Sequence, residues 1–390
     1  MKFVRTHFLR LLHTLFFTAF ASGCAFSQDG VFQAAYSGLV ERGEMPGAVF
    51  IVASPTEIID VETVGYSNVE TRTPMSDDSV FWIASNTKAF VAVATMICVE
   101  EGKLDLDAPL DAYLPQLKNL KVAREQEDGS TLLVPVAHKP TLRQALSHTA
   151  GFRFITPLQE SYGIDVLPTR RLASLVGVTP LIAEPGERYS YSNLGIDMAQ
   201  AAVETVVGKP FEEFLRERVL APLEMNETTF FPTSELELRF ATPYAWDADK
   251  SALKAIRFVQ NPSLDDGSAR YAEGGGGLFS TPRDLIKFFQ MLGGNGVGAN
   301  GKRILSPESV AVISSKQTGD ALSDNYGFGV VAHDDWYGHG GAYGTQGLVK
   351  RHDNLVAVYM VAVSGVPKQG EGDKIFRSSV DEIARIRGER

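Results

Sequence analysis

The sequence predicts a mixed α/β (α+β) fold, an antiparallel sheet flanked by helices with a mainly helical lobe inserted into it. Three observations predict this. Strand-like runs lie near both ends of the chain, at about 48–66 and 326–362. The stretch between them carries apolar residues at helical spacing. Short turns join the strand-like runs, which favours antiparallel pairing because parallel strands need a long crossover. With 390 residues and 44% hydrophobic content, the chain can bury a full core.

Taken in order, residues 31–42 read as a first helix, and Pro46-Gly47 leads into a strand pair at 48–53 and 58–66. Residues 85–99, rich in Ala, Val and Met and closed by Gly102, form a helix that is apolar nearly all round. Such a helix belongs inside a core, and at this length it is too short to span a bilayer. Residues 120–136, with Asp128-Gly129 at their centre, read as a hairpin. Helices are expected at 141–147, 194–207 and 211–219, the last two punctuated by Gly208 and Pro210. Thr281-Pro282 opens another helix to 292. Strands follow at 326–331, 347–351 and 355–362, with Asp353-Asn354 as a turn, and a final helix at about 376–386. The domain expected over 28–390 then comprises an α/β lobe, about 31–84 and 274–390, and a helical lobe, about 85–273. The active site is expected where the lobes meet.

Residues 1–27 have the form of a secretory signal: basic Lys2, Arg5 and Arg10, an apolar stretch at 11–20 broken by His13, then small residues. Two processing readings compete. Ala25-Phe26-Ser27 suits an ordinary signal peptidase, whereas Ala21-Ser22-Gly23-Cys24 resembles a lipoprotein box and would place a lipid anchor on Cys24. On either reading the protein is exported, periplasmic or secreted, or anchored at a membrane. Loss of residues 1–27 removes three cations and no acid, moving the net charge from −10 to −13. An acidic chain with scattered charge and no basic stripe is not expected to bind nucleic acid. Cys98 would be the one cysteine left, so no intramolecular disulfide is expected. Its apolar surroundings point to a core residue rather than a reactive thiol.

Candidate chemistry begins with Ser85-Asn86-Thr87-Lys88. A serine hydroxyl is a poor nucleophile until a base takes its proton. Three-residue spacing on a helix puts hydroxyl and amine on one face, and an apolar site disfavours the charged lysine. Ser251-Ala252-Leu253-Lys254 has the same spacing but lies in a polar stretch, and an N-cap serine beside a solvated lysine would explain either. Tyr191-Ser192-Asn193 offers a hydroxyl for proton transfer and an amide to hold a substrate carbonyl or the lysine. Tyr66-Ser67-Asn68 repeats that triplet, and Tyr189 is a nearby competitor. Gly338-His339-Gly340-Gly341 is expected to be a loop before the 347–351 strand. Its glycines let a backbone edge approach a ligand, where an N–H together with that of Ser85 would form an oxyanion hole. A structural histidine is the plainer reading of His339. The chain has no Gly-x-Ser-x-Gly elbow, no His-Glu-x-x-His and no clustered Cys/His spacing, so no metal or cofactor is expected. Gly274 to Gly277 lacks the Gly-Lys-Ser/Thr of a phosphate loop and reads as turn or close-packing glycines.

In this order the residues resemble the serine β-lactamase-like hydrolases, which include class C β-lactamases, D-Ala-D-Ala carboxypeptidases, D-aminopeptidases and β-lactamase-fold esterases. The resemblance runs from about Ala34 to Ala362. It rests on Phe81-Trp82-Ile83-Ala84-Ser85-Asn86-Thr87-Lys88, Leu146-Ser147-His148-Thr149-Ala150-Gly151, Glu184-Pro185-Gly186 through Tyr191-Ser192-Asn193, the stretch Gly274 to Leu285, and His339-Gly340-Gly341. It selects Ser85 over Ser251 and Tyr191 over Tyr66 and Tyr189. It implies a serine hydrolase acting on small ester, amide or peptide substrates through a Ser85 acyl-enzyme, with Lys88 and Tyr191 moving protons. Asn193, His339, Gly341 and Ala342 would bind substrate or its oxyanion, the donors being the backbone N–H groups of Ser85 and Ala342. One departure stands out. Class C β-lactamases carry Lys-Thr-Gly where this chain has His339-Gly340-Gly341, and histidine offers no permanent cation for a substrate carboxylate. An ester or amide hydrolase is therefore expected ahead of a D,D-peptidase or β-lactamase. A catalytically idle binding protein on the same fold is the alternative from another class.

Overall fold

A computed structural model describes residues 30–162, 169–258, 271–366 and 369–388. The expected signal segment and Cys24 lie outside the described residues.

The central sheet takes its strands from both ends of the described chain. They are β1 (Gly47–Ala53), β2 (Ile58–Asn68), β3 (Thr73–Pro74), β4 (Val331–Ala332), β5 (Trp336–Gly340), β6 (Gln346–Lys350) and β7 (Leu355–Val361). Their spatial order is β4-β5-β6-β7-β1-β2-β3, and every pairing is antiparallel. The two ends of the chain join where β1 lies on β7, with Phe50 opposite Tyr359 and Ile51 opposite Val358. The expected antiparallel sheet with flanking helices is present.

β1 and β7 are buried along their whole length, because successive side chains point to opposite faces and both faces are covered. Ala48, Phe50 and Val52 meet helices α1 (Val31–Glu41) and the C-terminal α6 (Gln369–Gly388) through Phe32, Tyr36, Phe376 and Val380. Phe32, Phe50 and Tyr359 stack there with ring centroids 4.5 and 5.1 Å apart. Each such buried ring contributes about 2 kcal/mol of transfer free energy. Val49, Ile51, Val356, Val358 and Met360 face the other way, into the larger core that holds the remaining helices.

Those helices include α2 (Thr87–Glu100), α3 (Leu142–Leu146), α4 (Asn193–Val207) and α5 (Pro282–Gly293). Twelve of the fourteen residues of α2 are buried, as its all-round apolar sequence requires. α5 lies between α2 and the sheet: Phe288 stacks on Phe90 at 3.7 Å, and Phe289 fills the space above Gly347, where a Cβ would come within 1.9 Å of its ring. Side-chain caps start three of these helices. Thr141 and Gln144 form a capping box on α3, Ser192 accepts from Gly195 N–H on α4, and Thr281 accepts from Asp284 N–H with Pro282 at the first turn of α5. Gly208 closes α4 in the left-handed conformation at φ 72°.

Several expectations need correction. Residues 326–331 do not run as a strand. They fold back on themselves, with Tyr326 bridged to Val331 and Gly329 at φ 64°. His339 sits on β5, paired with Gly347, and not in a loop; β5 has too many glycines to read as a strand by propensity. The expected hairpin forms at Lys121–Glu125 and Thr131–Pro135. Strands Tyr244–Asp247 and Ala252–Ala255 form a further hairpin that attaches in parallel to Val363–Ser364. Ser251 lies exposed in its turn. Cys98 is fully buried, and burial pushes its thiol up to about 11.

Candidate active site

The Ser85 segment is a short 3-10 turn, Ala84–Asn86, leading into α2. Ala84 holds φ at 45°, a left-handed conformation that costs a non-glycine residue about 1 kcal/mol. Neighbouring groups pin it there. Phe81–Trp82 pairs with Phe279–Ser280, Ile83 N–H donates to Leu278 O at 3.0 Å, and Thr87 Oγ1 donates to Ala84 O at 2.6 Å. Trp82 Nε1 donates to Gly276 O at 2.6 Å. The segment Gly274 to Leu278 is thus strapped to the serine turn, which supports its reading as close-packing glycines.

Ser85 is half-buried, and the Lys88 side chain is enclosed entirely. Lys88 Nζ lies 3.0 Å from Ser85 Oγ and donates to Asn193 Oδ1 at 2.8 Å and to the carbonyl of Gly275. It also sits 4.7 Å from the centre of the Tyr191 ring. Burial brings the lysine down to about 8, against the opposing pull of Glu273 and Asp197. Near neutrality about a tenth of this amine is therefore uncharged and able to accept a proton, and the share grows as pH rises toward 8.

The Tyr191 hydroxyl lies 3.4 Å from His339 Nε2 and is near enough to Ser85 for that side chain to ease its pKa downward against burial. Burial raises its pKa, so the phenol keeps its proton. Ser192 fixes the position of the triplet: its hydroxyl caps α4 and donates to Arg153 O at 2.6 Å. Asn193 turns its amide oxygen to Lys88 and its amide nitrogen to Glu273 Oε1, at 3.1 Å. Of the two sequence readings for Asn193, this geometry favours holding the lysine.

His339 Nδ1 is 2.6 Å from Gly340 O, so this nitrogen carries the hydrogen. Nε2 then accepts from the Tyr326 hydroxyl at 3.0 Å. Burial and the nearby Lys88 charge bring His339 down to about 3, leaving a neutral ring. Beyond β5, Gly341 packs on the serine turn, where a Cβ would lie 2.6 Å from Ile83 O. Thr345 Oγ1 donates to that same carbonyl at 3.3 Å, and Asn86 Nδ2 donates to Thr345 Oγ1 at 3.2 Å. Ala342 is the exposed residue at the head of this turn.

Ser85, Lys88, Tyr191, Asn193, His339 and Gly341 thus converge. The decoys stay apart: Tyr66 lies at the far end of β2 under Arg72, and Ser251 in its exposed turn. Tyr189 joins the surrounding aromatic cluster, 5.8 Å from both His148 and Tyr326. Sequence reasoning missed four contributors, Tyr326, His148, Asp197 and Glu273. His148 is buried at φ 60°, 4.5 Å from Tyr191, and its Nδ1 accepts from Ser192 N–H. The only sequence signal for Asp197 was an acid one turn beyond Asn193 in the apolar first half of that helix.

The model of the Beta-lactamase family matches residues 32–382. The chain belongs to that family. Among curated relatives, Protein Rv1367c of Mycobacterium tuberculosis is 31% identical over 75% of this chain and 72% of its own length. Esterase EstB of Burkholderia gladioli is 31% identical over 72% of each chain. Among solved structures, EstCE1, described as a hydrolase with promiscuous acyltransferase activity, superposes with a TM-score of 0.74 at 23% identity. The match covers 90% of this chain and 97% of that one, and it bears on the fold. The expected enzyme class, a serine hydrolase related to β-lactamases and esterases, stands with the family.

Proposed function

We propose that this member of the family hydrolyses small uncharged carboxylic esters through a Ser85 acyl-enzyme. The observation that carries the reading is the fully buried Lys88 amine 3.0 Å from Ser85 Oγ, brought down to about 8. Neutral Lys88 takes the proton of Ser85 as its oxygen attacks the ester carbonyl. The protonated Tyr191 hydroxyl, beside Ser85, then delivers a proton to the departing alkoxide. Backbone N–H groups of Ser85 and Ala342 face the developing oxyanion, and water releases the acyl group with the proton transfers reversed. Asn193 holds Lys88 on line, while His339 and Gly341 form one wall.

Preference for esters over β-lactams or D-Ala-D-Ala peptides rests on His339. Those substrates carry a carboxylate, and a neutral ring with both nitrogens engaged supplies no cation for it. The relationship to an esterase agrees with this choice. We further propose that residues 1–27 direct export, with lipidation at Cys24 as the variant form. Intact mass after fluorophosphonate treatment tests the nucleophile. One adduct is expected on Ser85, and labelling that survives Ser85→Ala overturns the assignment. With short p-nitrophenyl esters, nitrocefin and D-Ala-D-Ala peptides in parallel, turnover should be confined chiefly to the esters. Faster turnover of either carboxylate substrate would favour a D,D-peptidase or β-lactamase, and no adduct on a folded protein an idle binding module.

A further inference from the structure

The stretch Leu146 to Gly151 follows α3 and lies against the segment that carries Tyr191. His148 in its middle is buried and holds φ at 60°, a left-handed conformation that His, Asn and Asp adopt more readily than most residues. From that turn it grips the triplet on both sides of the tyrosine. Its backbone carbonyl accepts from Ser190 N–H at 2.8 Å, and its ring Nδ1 accepts from Ser192 N–H at 3.2 Å. The His148 and Tyr191 rings lie 4.5 Å apart, centre to centre. The chain just beyond adds two more bonds. Ser192 Oγ donates to Arg153 O at 2.6 Å, and Asn193 N–H donates to Phe154 O at 3.0 Å. Tyr191 therefore sits between two residues whose amides are both held by one histidine.

A phenol passes its proton efficiently only when its oxygen is held within hydrogen-bond reach of the leaving atom, so a small displacement costs rate. Nδ1 of His148 accepts only while the ring is neutral, because an imidazolium has a donor at both nitrogens. Burial and the charge of Lys88 bring this histidine well below its usual value and keep it neutral. The hydrogen then rides on Nε2, which is buried with no hydrogen-bond partner among the described residues. An apolar side chain would fill the same space without that cost, so packing alone does not account for a histidine here. We propose that His148 is a positioning residue for Tyr191, its carbonyl and Nδ1 bracketing the tyrosine so that the phenol reaches the departing alkoxide. This role rests on the reading of Tyr191 as the acid of acylation. Its consequence is selective. Esters whose alcohol must take up a proton to leave depend on His148, and esters whose alcohol leaves as a stable anion do not.

The test compares kcat/KM, which for an acyl-enzyme reports acylation alone, on a p-nitrophenyl ester and an ethyl ester of the same acid. The nitrophenolate leaves without a proton, whereas ethoxide needs one. His148→Ala should lower kcat/KM on the order of 100-fold for the ethyl ester, the usual worth of a placed acid, and only about threefold for the p-nitrophenyl ester. His148→Asn keeps an acceptor near the place of Nδ1 and tolerates the left-handed turn, so it should bring the ethyl ester back to within about tenfold of the parent. With Tyr191→Phe already in place, His148→Ala should not change the ratio of the two esters further. An Asn variant no better than Ala, equal losses on both esters, or a ratio that still changes without the tyrosine hydroxyl would each overturn the inference. Nitrogen-15 spectra of the parent, labelled at histidine, give a second readout that still decides if His148→Ala does not fold. The His148 ring, identified by its loss in His148→Asn, should be neutral with its hydrogen on Nε2, and a hydrogen on Nδ1 overturns the bracket. If the parent is never labelled at Ser85 by fluorophosphonate, the proposed function fails, while the spectra still judge the bracket. A parent labelled at Ser85 that cleaves the p-nitrophenyl ester alone has no acid to position, which overturns the role of His148 and leaves the nucleophile in place.

Discussion

Tyr326 donates its hydroxyl hydrogen to Nε2 of His339 at 3.0 Å, and this contact occupies the ring nitrogen that Gly340 leaves open. With Nδ1 turned to Gly340 O, both ring nitrogens are engaged, and the imidazole stays neutral at any pH near 7. Replacing Tyr326 by Phe keeps the ring packing against His148 and His339 and removes only the donor. The expected cost is about 1 kcal/mol of stability, the net worth of one such hydrogen bond. Thermal unfolding checks this, and ester turnover should fall several-fold with no gain on nitrocefin. An unchanged melting curve and rate would show that His339 holds its tautomer without Tyr326.

Lys88 sets the expected pH dependence. In the proposed role of general base it must be uncharged, so kcat/KM should rise with pH and level off above about 8. The same shift links to stability. Its ordinary value, 10.5, applies in the unfolded chain, which binds more protons than the folded one between about 8 and 10.5. Stability should therefore rise across that window relative to a Lys88→Met variant, and be lost again as pH falls through about 8. Urea unfolding of both proteins at several pH values measures the difference. A parallel pH dependence in the two would remove Lys88 from the account.

Gly329 packs against the backbone of α2 at Lys88 itself. Its φ is 64°, and a Cβ there would lie 2.3 Å from Lys88 O and 2.8 Å from Ala89 N. Backbone cannot swing aside as a flexible side chain can. Gly329→Ala should therefore destabilise the protein by about 2 kcal/mol or more and reduce Ser85 labelling, since relief requires α2 to shift. Gly301→Ala, at φ 79° but with open space around it, should cost only the backbone strain, about 1 kcal/mol. Denaturant melts compare the two, and equal losses would place the whole effect in φ.

Local sequence was enough to place the elements whose own residues carry a strong signal. The apolar runs of α2, β1 and β7 and the caps Thr281 and Gly208 are short-range features, and each lies where its pattern put it. The turn at 326–331 and strand β5 escaped for one reason. Their glycines are dictated by neighbours distant in sequence, the backbone of α2 for Gly329 and that of β6 for Gly338, whose Cβ would meet Gly347 O at 2.1 Å.

The site divides in the same way. The three-residue spacing from Ser85 to Lys88, the Tyr191-Ser192-Asn193 triplet and the exchange of lysine for histidine at position 339 were readable in order along the chain. Spacing and order are covalent properties, and they carried the resemblance to the family, from which the preference for Ser85 over Ser251 was drawn. Only tertiary structure decided the protonation of the site. Lys88 is brought down to about 8 because folding strips its water, against the pull of Glu273 and Asp197, and His339 is neutral because burial and the Lys88 charge disfavour its cation. Proton affinity depends on desolvation and on charges brought together through space, and no local stretch of sequence contains either.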